Sequence, residues 1–179
     1  MQIQRVNLSP MQLVSLSALK AHMRISTKAE DTLIKDLQLA AYDWVEQFTG
    51  RSLLTTEWKF LTTGLRLGSE IRHAIPFPSL LSIESVKHVF SNEKKEETKK
   101  YSMEFRHGVE YLCMYSKGVP VEVVYNAGFG PHPQFVPEAF HHAIKVLVAQ
   151  WFEEREGLGC GIPATIEAIL RPYQIRRLA

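Results

Sequence analysis

Residues 32–49, inside the run DTLIKDLQLAAYDWVEQFTG, constrain the fold more than any other stretch. Leu33, Ile34, Leu37, Ala41, Trp44, Val45 and Phe48 recur at three- and four-residue steps, which places them on one stripe of a helix. Lys35, Asp36, Gln38, Asp43, Glu46 and Gln47 fall mostly on the other side. Thr27 with Glu30 three residues later has the spacing of a capping box, and Asp31 offers a later cap. Gly50 follows the last periodic residue and suits the left-handed conformation that stops a helix. Each large side chain buried contributes roughly 1.5–3 kcal/mol, so this helix is expected to be the main core element. It is a scaffold: it carries no nucleophile, no metal cluster and no phosphate loop.

A chain of 179 residues has room for a real core, and one domain is the default. With 45% hydrophobic and 22% charged residues it is a globular sequence and not a disordered one. A net charge of +2 does not argue for nucleic-acid binding by itself. No apolar run approaches the roughly 20 residues that cross a bilayer. The opening MQIQRVNLSP lacks the apolar core of a signal peptide, so the protein is expected to be made and kept in a cytoplasm. Cys113 and Cys160 stand far apart in unrelated contexts and read as two ordinary reduced thiols.

Along the chain, residues 1–10 read as an extended arm leading to a helix over 16–23, capped by Ser15 or Ser17. After Gly50 the period becomes alternating. Trp58, Phe60 and Thr62 share one face of a strand, and Glu57, Lys59 and Leu61 the other. Further strands are expected over 70–75, closed by Pro76 and Pro78, and over 81–90, with Val86 and Phe90 on one face. The run NEKKEETKK, 92–100, contains no apolar residue and reads as a solvated hairpin tip. Tyr101, Met103 and Phe105 alternate, as do Val109, Tyr111, Cys113 and Tyr115; Val121, Val123 and Tyr125 make a last strand. Gly108 and Gly118 sit at turns. The short connections predict antiparallel pairing. Val136-Pro137 opens a second long helix, with Ala139, Phe140, Ala143, Ile144, Leu147, Val148, Trp151 and Phe152 on its apolar face. A short helix over 164–170 follows a glycine-rich linker at 157–161. Trp44, Trp58 and Trp151 each fall on an apolar period and read as core.

Chemistry-bearing groups are sparse. Glu138 with His141 and His142 has the Glu-x-x-His spacing that can place two metal ligands on one helix face. A second such pair is lacking, and a helix-start ion pair or hydrogen bond explains them with fewer ligands. His22, His73, His88, His107 and His132 are scattered, and no Gly-x-Ser-x-Gly occurs. The C-terminal residues are harder to explain as core: Leu170, Arg171, Pro172, Tyr173, Arg176 and Arg177 read either as a frayed terminus or as a partner-docking hook. Tyrosine and arginine are enriched where interface binding energy concentrates.

Several of these stretches resemble the phage head–tail connector proteins, the head-completion adaptors of long-tailed phages and their prophages. The run DTLIKDLQLAAYDWVEQFTGRSL is similar to the family's signature, and VSLSALKAHMRIS to its opening, with Met23 where leucine is usual. Pro76, Pro78 and the strand over 81–86 resemble its proline-bounded strand. YNAGFG followed by VPEAFHHAIKVLVAQWFEERE, and then IPATIEAILRPYQIRR, resemble its closing blocks. The charged run 92–100 and residues 64–70 match no such pattern.

The expected fold is α+β: a helical bundle of two long and one or two short helices, 11–50 and 136–170, with an antiparallel β-rich insertion over 55–127 and a docking tail at 171–179, all in one domain. The resemblance implies a non-enzymatic adaptor with no cofactor. It implies a dodecameric ring under the portal protein, joining the head to a downstream neck or tail completion protein and extending the channel through which double-stranded DNA passes without sequence specificity. It places the protein in the virion, at the head–tail junction, after assembly in the host cytoplasm, and assigns portal docking to the terminal segment. Two other readings stay open: a small metal-dependent or hydrolytic enzyme using Glu138, His141 and His142, and a monomeric module whose β insertion docks a partner.

Overall fold

The computed structural model describes residues 2–7, 12–62, 67–77, 79–90, 94–106, 108–154 and 162–175. The chain is α+β and divides into two compact units. One is helical, Met11–Gly50 with Gly130–Gln174; the other is the β unit, Met1–Pro10, Arg51–Phe129 and Ile175–Ala179. No described helix is long and apolar enough to cross a membrane.

In the helical unit, α1 spans Leu16–Met23. Ser15 caps it, its hydroxyl accepting from Ala18 N–H at 3.2 Å, and Arg24 closes it with φ 58°. Helix α2, Asp31–Thr49, begins without the expected box: Glu30 is the cap residue and makes no side-chain cap bond. Asp31 is instead the first helical residue, and its carboxylate takes the Lys20 ammonium at 2.6 Å. Lys20 also donates to the Thr27 carbonyl at 2.6 Å, so one side chain fastens α1 to the turn before α2. Gly50 ends α2 at φ 68°, its N–H reaching the Glu46 carbonyl at 2.8 Å.

The buried line of α2 is rotated from the apolar stripe. Ile34, Ala41 and Val45 are fully buried, but so are Gln38, Glu46 and Thr49, while Leu33, Leu37, Trp44 and Phe48 are only half-buried. Gln38 tolerates burial because its amide donates to the Val14 carbonyl at 2.5 Å, and Thr49 donates back to Val45 at 2.8 Å. Helix α3, Glu138–Glu153, starts after Pro137, whose fixed φ of −56° suits the cap position. It buries Phe140, Ala143, Ile144, Leu147 and Val148, and packs on α1, α2 and α4 (Ala164–Leu170). Trp151, like Trp44, is only half-buried.

The β unit holds eight described strands, all paired antiparallel: β1 Gln2–Asn7, β2 Thr56–Leu61, β3 Glu70–Ala74, β4 Leu80–Val89, β5 Lys95–Glu97, β6 Ser102–Arg106, β7 Val109–Tyr115 and β8 Val121–Ala127. They form a five-stranded sheet in the order β1-β2-β8-β4-β5 and a three-stranded sheet in the order β3-β7-β6. Alternation along β2 and β8 turns Trp58, Phe60, Val121, Val123, Tyr125 and Ala127 into one core with Val86, Ile75, Leu112 and Met114. Phe60 meets Tyr125 edge-on at 5.8 Å, and the Tyr125 hydroxyl donates to the Pro76 carbonyl. Pro78 lies outside the described residues.

Two expectations change here. The N-terminal arm is an edge strand, with Ile3 opposite Phe60 on β2. The charged run is not only a tip: Lys95–Glu97 pairs with β4 as the opposite edge of the same sheet. Its side chains are exposed, so an edge strand there leaves no apolar trace in the sequence. In β6, Phe105, which alternates with Tyr101 and Met103, is 71% exposed.

Candidate functional site

The C-terminal segment is built onto the helical unit from the inside out. Ile166 and Leu170 of α4 are buried, and Leu170 is spent wholly on the core. Pro172 fixes φ in a 3-10 turn, Arg171–Tyr173, that continues the helix axis for one tighter turn. The Tyr173 ring leans on Phe140 of α3, centroids 4.8 Å apart. Gln174 then donates its side-chain amide to the Phe48 carbonyl at 3.2 Å, satisfying one of the acceptors left over at the end of α2. Arg171 and Pro172 remain exposed.

The predicted anchors therefore divide. Leu170 and Tyr173 hold the turn, while Arg171 and Pro172 are presented outward on it. Arg176 and Arg177 lie outside the described residues. Gln174 was not singled out by sequence, because its partner is 126 positions away and no local pattern reports such a bond. A guanidinium on a pinned turn suits bidentate contact with a carboxylate, and loses less entropy on binding than one on a loose tail.

Among the described residues, the other candidate groups are not arranged for catalysis. Glu138 and His142 are exposed at the start of α3, and His141 Nε2 sits 3.1 Å from the Pro133 carbonyl oxygen. Among the described residues no three His, Cys, Asp or Glu side chains are placed to hold a metal ion. Burial pushes the Cys113 thiol up, with Glu104 adding to the effect and Arg72 opposing it, so the thiolate that would act as nucleophile is disfavoured. Cys160 and the 157–161 glycines lie outside the described residues, as does His107. Burial lowers His73 and His88 towards the neutral form, for His88 with help from Lys117 and against Glu96.

Residues 13–117 match the model of the phage gp6-like head–tail connector protein family. The chain belongs to that family. It is accordingly a structural head–tail connector and not an enzyme. No curated protein matches it.

Solved structures similar to this connector over its whole length come from gene transfer agent (GTA) particles. A chain from the neck of an empty GTA particle, computed with C6 symmetry, has a TM-score of 0.84 at 20% identity, covering 100% of this chain and 98% of that one. A chain from the virion of a native particle gives 0.82 at 19% identity, with the same coverage. One from the neck of a native particle, computed with C12 symmetry, gives 0.77 at 19%, again covering 100% and 98%. At these identities the likeness establishes the fold.

Proposed function

We propose that copies of this connector form a ring, a dodecamer, beneath the portal protein of a phage-like head. The ring joins the DNA-filled head to the next neck or tail protein and extends the channel through which the double-stranded DNA passes. The whole chain works as one connector domain with a helical bundle, and its place is the head–tail junction of the virion. The observation that carries this reading is the combination of family membership with a full-length fold likeness to chains of symmetric necks. The exposed Arg171 and Pro172, on a turn held by Tyr173 and Gln174, supply the contact to the portal, with Arg176 and Arg177 following them.

Heads assembled without this chain should accumulate as filled heads and separate tails. Adding the purified protein should restore joined particles, with the added density at the portal vertex by electron microscopy. Joined, stable particles in its absence would overturn the reading.

A further inference from the structure

Among the described residues the two β sheets of the β unit have four edges, and these are not protected alike. An edge strand offers unpaired N–H and C=O groups, and charged side chains are the usual means of keeping other strands away. The β5 edge is three residues long and entirely charged, Lys95, Glu96 and Glu97. The β3 and β6 edges carry Glu70, Arg72, Glu104 and Arg106, linked by ion pairs of 3.0 to 3.8 Å. The β1 edge, Gln2–Asn7, is six residues long and contains neither lysine, acid nor proline. Its one charge, Arg5, is drawn back over the Trp58 ring, 5.0 Å from the ring centroid. Ile3 and Val6 are 36% and 44% exposed. Ile3 pairs with Phe60, so it stands on the core side of the sheet, at a rim that a further strand would cover.

We propose that the edge of β1 left unpaired among the described residues is a strand-addition site for an extended segment of a different protein of the neck. This rests on the neck reading above. Main-chain hydrogen bonds would supply the affinity, and the alternate side chains the specificity. The segment carries an apolar residue to cover Ile3, and it is acidic, because the one charge on β1 is the Arg5 guanidinium and the β unit, counted over its full sequence, sums to +5 against −3 for the helical unit. A second copy of this chain does not fit. Its β5 edge is half the length of β1, and its β3 and β6 edges present charges where β1 presents Ile3 and Val6. Pairing β1 with β1 would be two-fold, and a two-fold contact closes as a dimer instead of propagating round a ring.

The test is residue-resolved hydrogen exchange on the full-length protein, free and after attachment to portal-bearing, DNA-filled heads with the downstream neck proteins present. In the free protein the alternate amides of β1 that do not bond to β2 should exchange rapidly; in the assembled neck they should slow by about 100-fold or more. The double variant Ile3→Lys, Val6→Lys, at positions already exposed, should keep its circular dichroism spectrum and lose about tenfold or more in the yield of joined particles. If the protein attaches and the β1 amides exchange as before, this proposal fails while the neck reading stands. If it does not attach at all, both fall. If the free protein already protects those amides, as a monomer or as a dimer that dilution dissociates, the edge is taken by this chain itself and the proposal is wrong.

Discussion

The Lys59 ammonium lies 2.7 Å from a carboxylate oxygen of Glu122, on the central strand of the five-stranded sheet. Lys95, from the edge strand β5, reaches the same carboxylate at 2.9 Å. Burial works to raise the Glu122 carboxyl, but the hydrogen bonds and charges of Lys59 and Lys95 outweigh it and hold the group below the usual carboxylate range. A carboxyl depressed in the folded state contributes stability above its unfolded value, near pH 4.5, and loses it as the pH falls through the folded one. Glu122→Gln should cost about 1–2 kcal/mol at pH 7, since both lysines are partly exposed and screened. Urea titrations at pH 7 and below pH 4 should show the gap between wild type and variant closing in acid. A pH-independent gap would mean the charge of Glu122 is not what holds β5 in place.

The tryptophans should separate by burial. Trp58 is buried, stacks on Phe77 at 4.3 Å and donates to the Ser52 hydroxyl at 3.2 Å. Trp58→Ala should therefore cost about 3–5 kcal/mol and unfold the β unit at moderate denaturant. Trp44 is half-buried and stacks on Phe48 at 4.9 Å. Trp44→Ala should cost nearer 1–2 kcal/mol, because less of the ring is removed from water. Equal losses in thermal melts would contradict the placement of the two rings.

The start of α1 and the end of α2 were legible in the sequence, the start of α2 and the helix faces less so. Ser15 and Gly50 mark their termini because caps act through adjacent backbone groups. The face of α2 was misjudged by its hydrophobic pattern, since Gln38 is buried through a bond to Val14, 24 residues away. The core strands showed their alternation, whereas β5 did not: an edge strand with all its side chains exposed has no face to report. Of the terminal anchors, residue type pointed to Arg171 and Tyr173, but which of them faces outward depended on Phe140, which no local spacing connects to Tyr173.

Among the described glycines, Gly128 is the least replaceable on geometric grounds. Its φ is +145°, and an added Cβ would stand 2.5 Å from the Leu54 carbonyl oxygen, a backbone atom that cannot swing aside. Gly128→Ala should destabilise by more than about 2 kcal/mol through strain and displaced backbone. Gly108→Ala, with open space around the added carbon, should pay only the cost of its positive φ, about 1 kcal/mol. Chemical denaturation of the pair would check the ranking.

Removing residues 171–179 tests the proposed portal contact only roughly, because Tyr173 packs on Phe140 and Gln174 bonds to Phe48. The truncation should lower stability by about 1–2 kcal/mol while leaving the helices folded, and should abolish joining of heads to tails. Arg171→Glu separates the two effects. Arg171 is exposed, so the reversal should leave the melting temperature within a degree or two, a surface change of at most about 0.5 kcal/mol. It should still cut attachment to portal-bearing heads by at least about tenfold, since a like charge then faces the carboxylates that the guanidinium would have met. Normal attachment by Arg171→Glu, together with failure of the truncation, would move the contact off Arg171 and onto Pro172 or the residues after it. Normal attachment by both would remove the C-terminal segment from the portal interface altogether.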